Sequence, residues 1–156
     1  MPHTANLNEI VRTSSPETRP AVTGILETAL VVENIERASQ FYREIFGFKA
    51  LFKDDRLCSL DVKPGQVLLL FRRGGSLDDV HLPGGVLPGG MDAEGRSHMA
   101  FAIGAEHFHE WLAWLENHGV KIESTVKWER GGTSIYFRDP DGNLLECATP
   151  GVWANY

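Results

Sequence analysis

Cysteine, long hydrophobic runs and clustered positive charge are all scarce in this chain. Cys58 and Cys147 are the only two cysteines among 156 residues, too few for a disulfide scaffold and without the paired spacing of a cysteine metal site. No apolar stretch approaches the roughly 18 residues of a membrane span, and residues 1–20 contain no hydrophobic segment of the secretory kind. These absences predict reduced thiols, no membrane partner and a cytoplasmic location.

The charge balance excludes a further class of partner. The chain has 15 Lys and Arg residues against 21 Asp and Glu residues, a formal net charge of -6, and the basic residues are scattered. Nucleic acids and anionic membranes bind basic faces, so we expect neither as a partner. The 42% content of hydrophobic residues and the four tryptophans instead indicate a folded globular protein, with one core or two small modules that share one.

A strand followed by a helix occurs twice. The first copy reads ILETALVV from residue 25 and its helix ends at Gly47, whereas the second reads SHMAFAI from residue 97 and its helix ends at Gly119. Each copy is followed by three further stretches with strand character. These are residues 50–53, 57–62 and 66–71, then 121–126, 133–138 and 143–148. The sequence therefore predicts an α+β protein of two β-α-β-β-β modules.

The two opening strands carry polar residues at matched positions. Glu27 in the first copy stands where His98 stands in the second, and alanine follows two residues later in both. Since alternate strand residues lie on opposite faces, both groups share a face with small side chains. That arrangement leaves room for an ion or a substrate.

The remaining segments set the predicted boundaries. Residues 1–20 are rich in Thr, Ser, Pro and Asn and are interpreted as a flexible N-terminal arm. The domain then spans residues 21–156, with module one at 24–73, a glycine- and proline-rich linker loop at 74–95, and module two at 96–150. We expect the linker to be a connecting loop that can cover a site.

A strong turn signal precedes the last strand. The sequence from Asp139 to Gly142 reads DPDG. If Gly142 adopts the left-handed conformation of a bulge, the strand register brings Tyr136 to the same face as Glu146.

The repeat, the FRDPDGNLLEC run at residues 137–147 and the SHMAFAI strand resemble the vicinal oxygen chelate superfamily. That superfamily contains glyoxalases, bleomycin-resistance proteins, fosfomycin-resistance transferases and extradiol dioxygenases, and the resemblance covers roughly residues 24–153. It implies that the modules form open barrel halves around a divalent metal ion. Carried over by position, the implied metal ligands are Glu27, His98 and Glu146.

This ligand set has a defined chemistry. Three protein ligands leave positions open for water or substrate, and two carboxylates with one imidazole are compatible with Mn, Fe(II), Co, Ni or Zn. A bound hydroxycarbonyl compound would have its carbonyl polarised. The predicted catalytic residues are Glu27, Glu146 and Tyr136, with Tyr136 orienting the substrate. The general base is left unassigned, and a displaced ligand glutamate is one candidate for it.

Each residue also has an ordinary structural interpretation. A lone histidine such as His98 is usually structural or exposed, Glu27 is compatible with a surface strand, and Glu146 with an ion pair to a buried arginine. Leu69 stands near the place of a fourth ligand in glyoxalase I, so a four-ligand site is not expected. Fosfomycin transferases bind the phosphonate through basic residues, and residues 148–156 contain none, although Arg130 is a conceivable substitute.

The leading functional prediction is a metal-dependent glyoxalase-like lyase or isomerase that acts on a small oxygen-rich molecule, in a homodimer. Two alternatives stay open. One is a non-catalytic protein that binds a drug or another small molecule, of the bleomycin-resistance type. The other is an Fe(II) dioxygenase of the extradiol type.

Overall fold

The computed structural model describes residue 19, residues 21–90 and residues 93–156. The expected N-terminal arm, residues 1–20, lies outside this part of the chain apart from residue 19. Within the described ranges, no helix is both long and apolar enough to pass through a bilayer.

The first module is a four-stranded sheet with one helix. Its elements are β1 (Glu27–Val32), α1 (Ile35–Phe46), β2 (Lys49–Lys53), β3 (Leu57–Lys63) and β4 (Gln66–Arg72). The strand order is β1-β4-β3-β2, with β1 parallel to β4 and the other neighbours antiparallel. The predicted β-α-β-β-β order is therefore confirmed for this half.

Helix α1 begins and ends where the sequence provides caps. The Asn34 side chain accepts a 2.8 Å hydrogen bond from the backbone N–H of Arg37, which satisfies one of the free donors of the first turn. Gly47 ends the helix at φ 72°, a left-handed conformation that glycine adopts without steric cost. Ile35, Ala38, Tyr42 and Ile45 form its buried apolar stripe.

The second module repeats the first. It comprises β7 (His98–Ala102), a 3-10 turn (Ala105–His107), α2 (Phe108–Asn117), β8 (Ile122–Lys127), β9 (Thr133–Arg138) and β10 (Leu144–Ala148). Its strand order, β7-β10-β9-β8, matches that of the first sheet element by element. The internal repeat read from the sequence is thus a structural duplication.

The linker contains regular structure that the sequence did not predict. Residues 74–95 were expected to form a loop, but β5 (Val80–Leu82) and β6 (Gly85–Leu87) pair in it as a short antiparallel hairpin. Glycine and proline mask strand signals in so short a segment, whereas Pro83 and Gly84 are residues that a tight turn favours.

The two modules share a core through α1. The Phe46 ring lies 4.4 Å from that of Phe101 on β7, 5.6 Å from that of Trp111 on α2 and 6.3 Å from that of Phe137 on β9, measured between centroids. These aromatic rings form apolar contacts between the two modules, so neither module buries its hydrophobic residues without the other.

Candidate metal centre

The second sheet places three of the predicted site residues on one face. Glu146 on β10 pairs with Ala100 of β7 on one side and with Tyr136 of β9 on the other. His98 lies two residues before Ala100 and therefore shares this face. We call it the second-sheet face, defined by His98, Tyr136 and Glu146.

The imidazole of His98 is held by one nitrogen. Its Nδ1 lies 3.0 Å from the carbonyl oxygen of Leu144, and because a carbonyl only accepts, Nδ1 must carry the proton in that bond. The neutral ring then keeps a free lone pair on Nε2. This tautomer is the one that a metal ligand needs, and a backbone carbonyl is a common outer partner of metal-bound histidines.

The free nitrogen of His98 faces Glu146. His98 Nε2 lies 3.3 Å from Glu146 Oε2, with the His98 side chain 50% exposed and that of Glu146 only 7% exposed. A nearly buried carboxylate beside a solvent-accessible imidazole provides two potential metal-ligand atoms that lie close together at a point accessible to solvent. Their donor types suit a divalent ion of the Mn to Zn series.

Tyr136 stands beside this pair. Its ring is stacked near that of His98, with centroids 6.4 Å apart and an angle of 30° between the planes. Burial, and next the negative charge of Glu146, raise the pKa of the Tyr136 hydroxyl. The phenol is therefore protonated at neutral pH and can donate a hydrogen bond to a ligand on this face.

The turn before β10 produces this alignment. Gly142 has φ 82°, and its N–H donates to the Asp139 carbonyl across the turn at 3.0 Å. Glu146 and Tyr136 are direct partners in the resulting register. The predicted left-handed glycine and the shared face are both confirmed.

Glu27 does not join the other two predicted ligands within one chain. It lies exposed at the start of β1, paired with Val67, and no group of three His, Cys, Asp or Glu side chains suited to a metal ion is found in the described part of the chain. The structure thus brings His98 and Glu146 together and leaves Glu27 apart. One chain therefore brings together two of the three predicted metal ligands.

The duplication also shows what the first sheet lacks. Glu146 pairs with the residue two positions after His98, and Leu69 of β4 pairs with Ala29, two positions after Glu27. Leu69 is therefore the counterpart of Glu146. Because leucine has no ligand atom, Glu27 is the one ligand-type side chain at the two first-sheet positions equivalent to His98 and Glu146, as the sequence indicated.

The other histidines in the described part of the chain lie outside the second-sheet face. His81, His107, His109 and His118 are exposed. His107 Nδ1 lies 2.7 Å from Glu110 Oε2, and this hydrogen bond together with the charge of Glu110 raises the pKa of His107. These four side chains contact surface residues or solvent, so they are suitable controls for mutagenesis of the proposed site.

Sequence reasoning missed two residues around Glu146. Ser134 is completely buried, and its hydroxyl donates a 2.5 Å hydrogen bond to Glu146 Oε1. Trp128 Nε1 donates in turn to Ser134 Oγ at 2.8 Å. Strand alternation from Tyr136 could have indicated Ser134, whereas no local pattern indicates Trp128, which lies in a loop.

A sequence-family model described as the Glyoxalase/Bleomycin resistance protein/Dioxygenase superfamily matches residues 24–147. Metallothiol transferase FosB from Staphylococcus saprophyticus is 30% identical over 119 residues, which are 76% of this chain and 71% of that protein. Catechol-2,3-dioxygenase from Bacillus subtilis is 29% identical over 121 residues, 75% of this chain but 38% of that protein.

A solved structure shows the same architecture. The lactoylglutathione lyase from Agrobacterium tumefaciens superimposes with a TM-score of 0.78 and 30% sequence identity, covering 86% of this chain and 99% of that one. The similarity therefore extends over the two modules and is not limited to the DPDG turn.

Proposed function

Because this chain belongs to the glyoxalase/bleomycin resistance protein/dioxygenase superfamily, we propose that it is a metal-dependent lyase or isomerase acting on a small oxygen-rich molecule. The observation that carries this proposal is the 3.3 Å approach of His98 Nε2 to Glu146 Oε2 on an accessible face. The fold likeness to a lactoylglutathione lyase supports it.

The proposed metal ligands are His98 through Nε2, Glu146 through Oε2 and Glu27. The ion, which is Mn, Ni, Zn, Co or Fe(II), would supply Lewis acidity toward a substrate oxygen. The two carboxylates balance its charge, and the bond from Nδ1 to Leu144 keeps the imidazole in the ligating tautomer. These features fit a site that retains open positions for a bidentate substrate.

The other side chains have separate roles in the proposal. The Tyr136 hydroxyl, kept protonated by its surroundings, donates a hydrogen bond that orients the substrate oxygen. Glu27 or Glu146 would serve as the base that takes a proton from the carbon next to the polarised substrate oxygen. Proton transfer of this kind needs the base within hydrogen-bonding distance of the carbon acid, and Glu146 shares a face with the proposed substrate-orienting Tyr136.

The third ligand comes in this proposal from the partner of a homodimer. Glu27 is exposed and apart from His98 and Glu146. Strand β2 is exposed along its whole length, with Leu51 at 60% and Phe52 at 52%, and Leu82, Val86 and Leu87 of the hairpin are each 50% exposed. Apolar patches of this kind are typical of subunit interfaces, and a dimer would cover them while completing the site.

The test combines metal content with turnover. Protein purified without chelator should contain a divalent ion by elemental analysis and should convert thiol adducts of 2-oxoaldehydes or related hydroxycarbonyl compounds. His98→Ala and Glu146→Gln should lose metal and activity, whereas the exposed control His109→Ala should keep both. Equal metal content in all variants would refute the ligand assignment.

A second candidate is thiol transfer to an electrophilic carbon, which the similarity to metallothiol transferase FosB favours. Arg138 is the basic residue of β9 and lies two positions after Tyr136. Its guanidinium donates two hydrogen bonds to the Glu123 carboxylate, at 3.0 and 3.3 Å. That charge is already matched, so a strongly anionic acceptor would need another cation. Thiol consumption that depends on a neutral epoxide, without isomerisation of the adducts, would select this reaction.

The two remaining alternatives have distinct outcomes in the same assays. Oxygen-dependent consumption of a catechol by the iron-loaded protein would indicate a dioxygenase. Saturable binding of a small molecule without turnover, unchanged in His98→Ala, would indicate a binding protein.

A further inference from the structure

A directional chain of hydrogen bonds leads into Glu146 from the loop after β8. Trp128 Nε1 donates to Ser134 Oγ at 2.8 Å, and Ser134 Oγ donates to Glu146 Oε1 at 2.5 Å. An indole N–H can only donate and an ionised carboxylate can only accept. The hydroxyl of Ser134 therefore has a single consistent orientation, with its proton directed at Glu146.

This series of hydrogen bonds makes the two carboxylate oxygens of Glu146 different from each other. Oε1 is bound to Ser134, while Oε2 lies 3.3 Å from His98 Nε2. With Oε1 occupied by a donor, one oxygen stays available to an ion. The carboxylate is thereby fixed in rotation before any ligand arrives.

Trp128, the first donor in this series of hydrogen bonds, lies in a loop that is closed by a backbone hydrogen bond. The backbone N–H of Trp128 donates to the Gly132 carbonyl at 2.8 Å, and Gly131 has φ 92°. A Cβ at Gly132 would lie 2.5 Å from the carbonyl carbon of Gly151, so the loop packs backbone to backbone against the segment after β10. The indole is thus positioned by the fold, although Trp128 is 37% exposed.

We propose that Trp128 and Ser134 are positioning residues that fix Glu146 for one-oxygen ligation of the metal ion. This inference rests on the proposed function. Ser134 acts directly on Glu146, and Trp128 acts only through Ser134. Outer partners of this kind typically change metal affinity by about 10- to 100-fold when removed.

The experiment is a double-mutant cycle on metal binding by the full chain. Mn²⁺ or Zn²⁺ alone is titrated calorimetrically into metal-free protein, without substrate. Ser134→Ala should raise Kd by about 10- to 100-fold, and Ser134→Thr, which keeps the hydroxyl, should restore most of the affinity. Trp128→Phe should weaken binding less than Ser134→Ala does, and should have no further effect in the Ser134→Ala background.

Folding is monitored independently. Ser134 is completely buried, so the thermal unfolding of every metal-free variant is measured alongside. Trp128→Phe changes a partly exposed ring at nearly constant shape and keeps the test valid if Ser134→Ala does not fold. Trp114→Phe is the matched tryptophan control and should leave Kd unchanged.

The outcomes separate the two proposals. Wild-type protein that binds neither of these ions, nor Ni²⁺, Co²⁺ or Fe²⁺ in the same titration, overturns the proposed function and this inference with it. Wild-type binding with an unchanged Kd in Ser134→Ala overturns only the positioning role, as does a Trp128→Phe effect of equal size in both backgrounds. A loss of affinity that Ser134→Thr restores, with coupling between the two positions, supports it.

Discussion

The hydroxyl of Tyr42 on α1 donates a 2.8 Å hydrogen bond to Asp139 Oδ2 in the turn before β10. Both residues are buried. Asp139 Oδ1 accepts in addition from the backbone N–H groups of Asp141 and Asn143, each at 2.9 Å. The bond therefore joins the helix of one module to the turn that aligns Glu146 in the other.

Replacing Tyr42 with phenylalanine should destabilise the protein substantially. The change removes one donor and leaves the Asp139 carboxylate buried with fewer partners. Hydrogen bonds to charged groups typically contribute about 1.5–3 kcal/mol, and we expect a loss of this size in the free energy of unfolding. Urea denaturation measures it, with a lower midpoint and an unchanged slope.

A matched control lies half a turn earlier on the same helix. Gln40 bonds Glu44 on the exposed side at 2.7 Å, so Gln40→Ala should change the free energy of unfolding by less than about 0.5 kcal/mol. Similar effects for Gln40→Ala and Tyr42→Phe would contradict the proposed role of the buried bond.

Subunit mixing tests whether the metal site is shared. Glu27→Ala and His98→Ala each remove one proposed ligand, so neither homodimer should bind the ion tightly. In a mixed dimer with sites shared between chains, one of the two sites regains all three ligands. Calorimetry on the mixed dimer should then detect about half the wild-type number of tight sites. No recovery would place Glu27 and His98 of the same chain in one site, whereas tight binding by the Glu27→Ala homodimer itself would remove Glu27 from the site.

Local patterns were sufficient to predict the repeat and the second-sheet face. Strand alternation placed His98, and the glycine of the DPDG turn set the register of Tyr136 and Glu146, because both effects act over a few residues. The Tyr42 bond to Asp139 spans 97 positions, and no periodicity encodes such a contact. The donor from Trp128 depends likewise on how a loop packs against another loop.

Prediction was equally limited for the position of Glu27. Its place in the repeat was read correctly, since the Glu27 and His98 strands are equivalent in the two sheets. Where one sheet lies relative to the other depends on tertiary packing around Phe46 and on any second subunit. The strand pattern alone could not tell whether the two matched positions meet in one chain.

The two buried thiols should resist modification in the folded protein. Burial, and next the charge of Glu146, raise the pKa of Cys147 to about 12, and burial raises that of Cys58 as well. At pH 8 about one in ten thousand Cys147 side chains would be the reactive thiolate. A disulfide reagent should therefore label neither cysteine in native protein and both in denaturant. Rapid labelling of native protein at pH 8 would contradict this.

The pair of His107 and Glu110 should make stability depend on pH. The hydrogen bond to Glu110 and its charge raise the pKa of His107 above the unfolded value, which is about 6.5. The stabilisation is therefore fully present below that value and is lost as the pH rises through the folded pKa. Glu110→Gln should lower the free energy of unfolding more at pH 5.5 than at pH 9, by a small amount because the pair is exposed.

Urea titrations of wild type and Glu110→Gln at both pH values measure this difference, at low ionic strength because salt screens exposed pairs. Glu110 also lies in the first turn of α2, where a negative charge interacts favourably with the helix dipole. That contribution does not involve the proton on His107. A Glu110→Gln effect that does not change with pH would assign the stabilisation to the dipole and not to His107. In a His107→Gln background, the pH-dependent part should disappear and the constant part should remain.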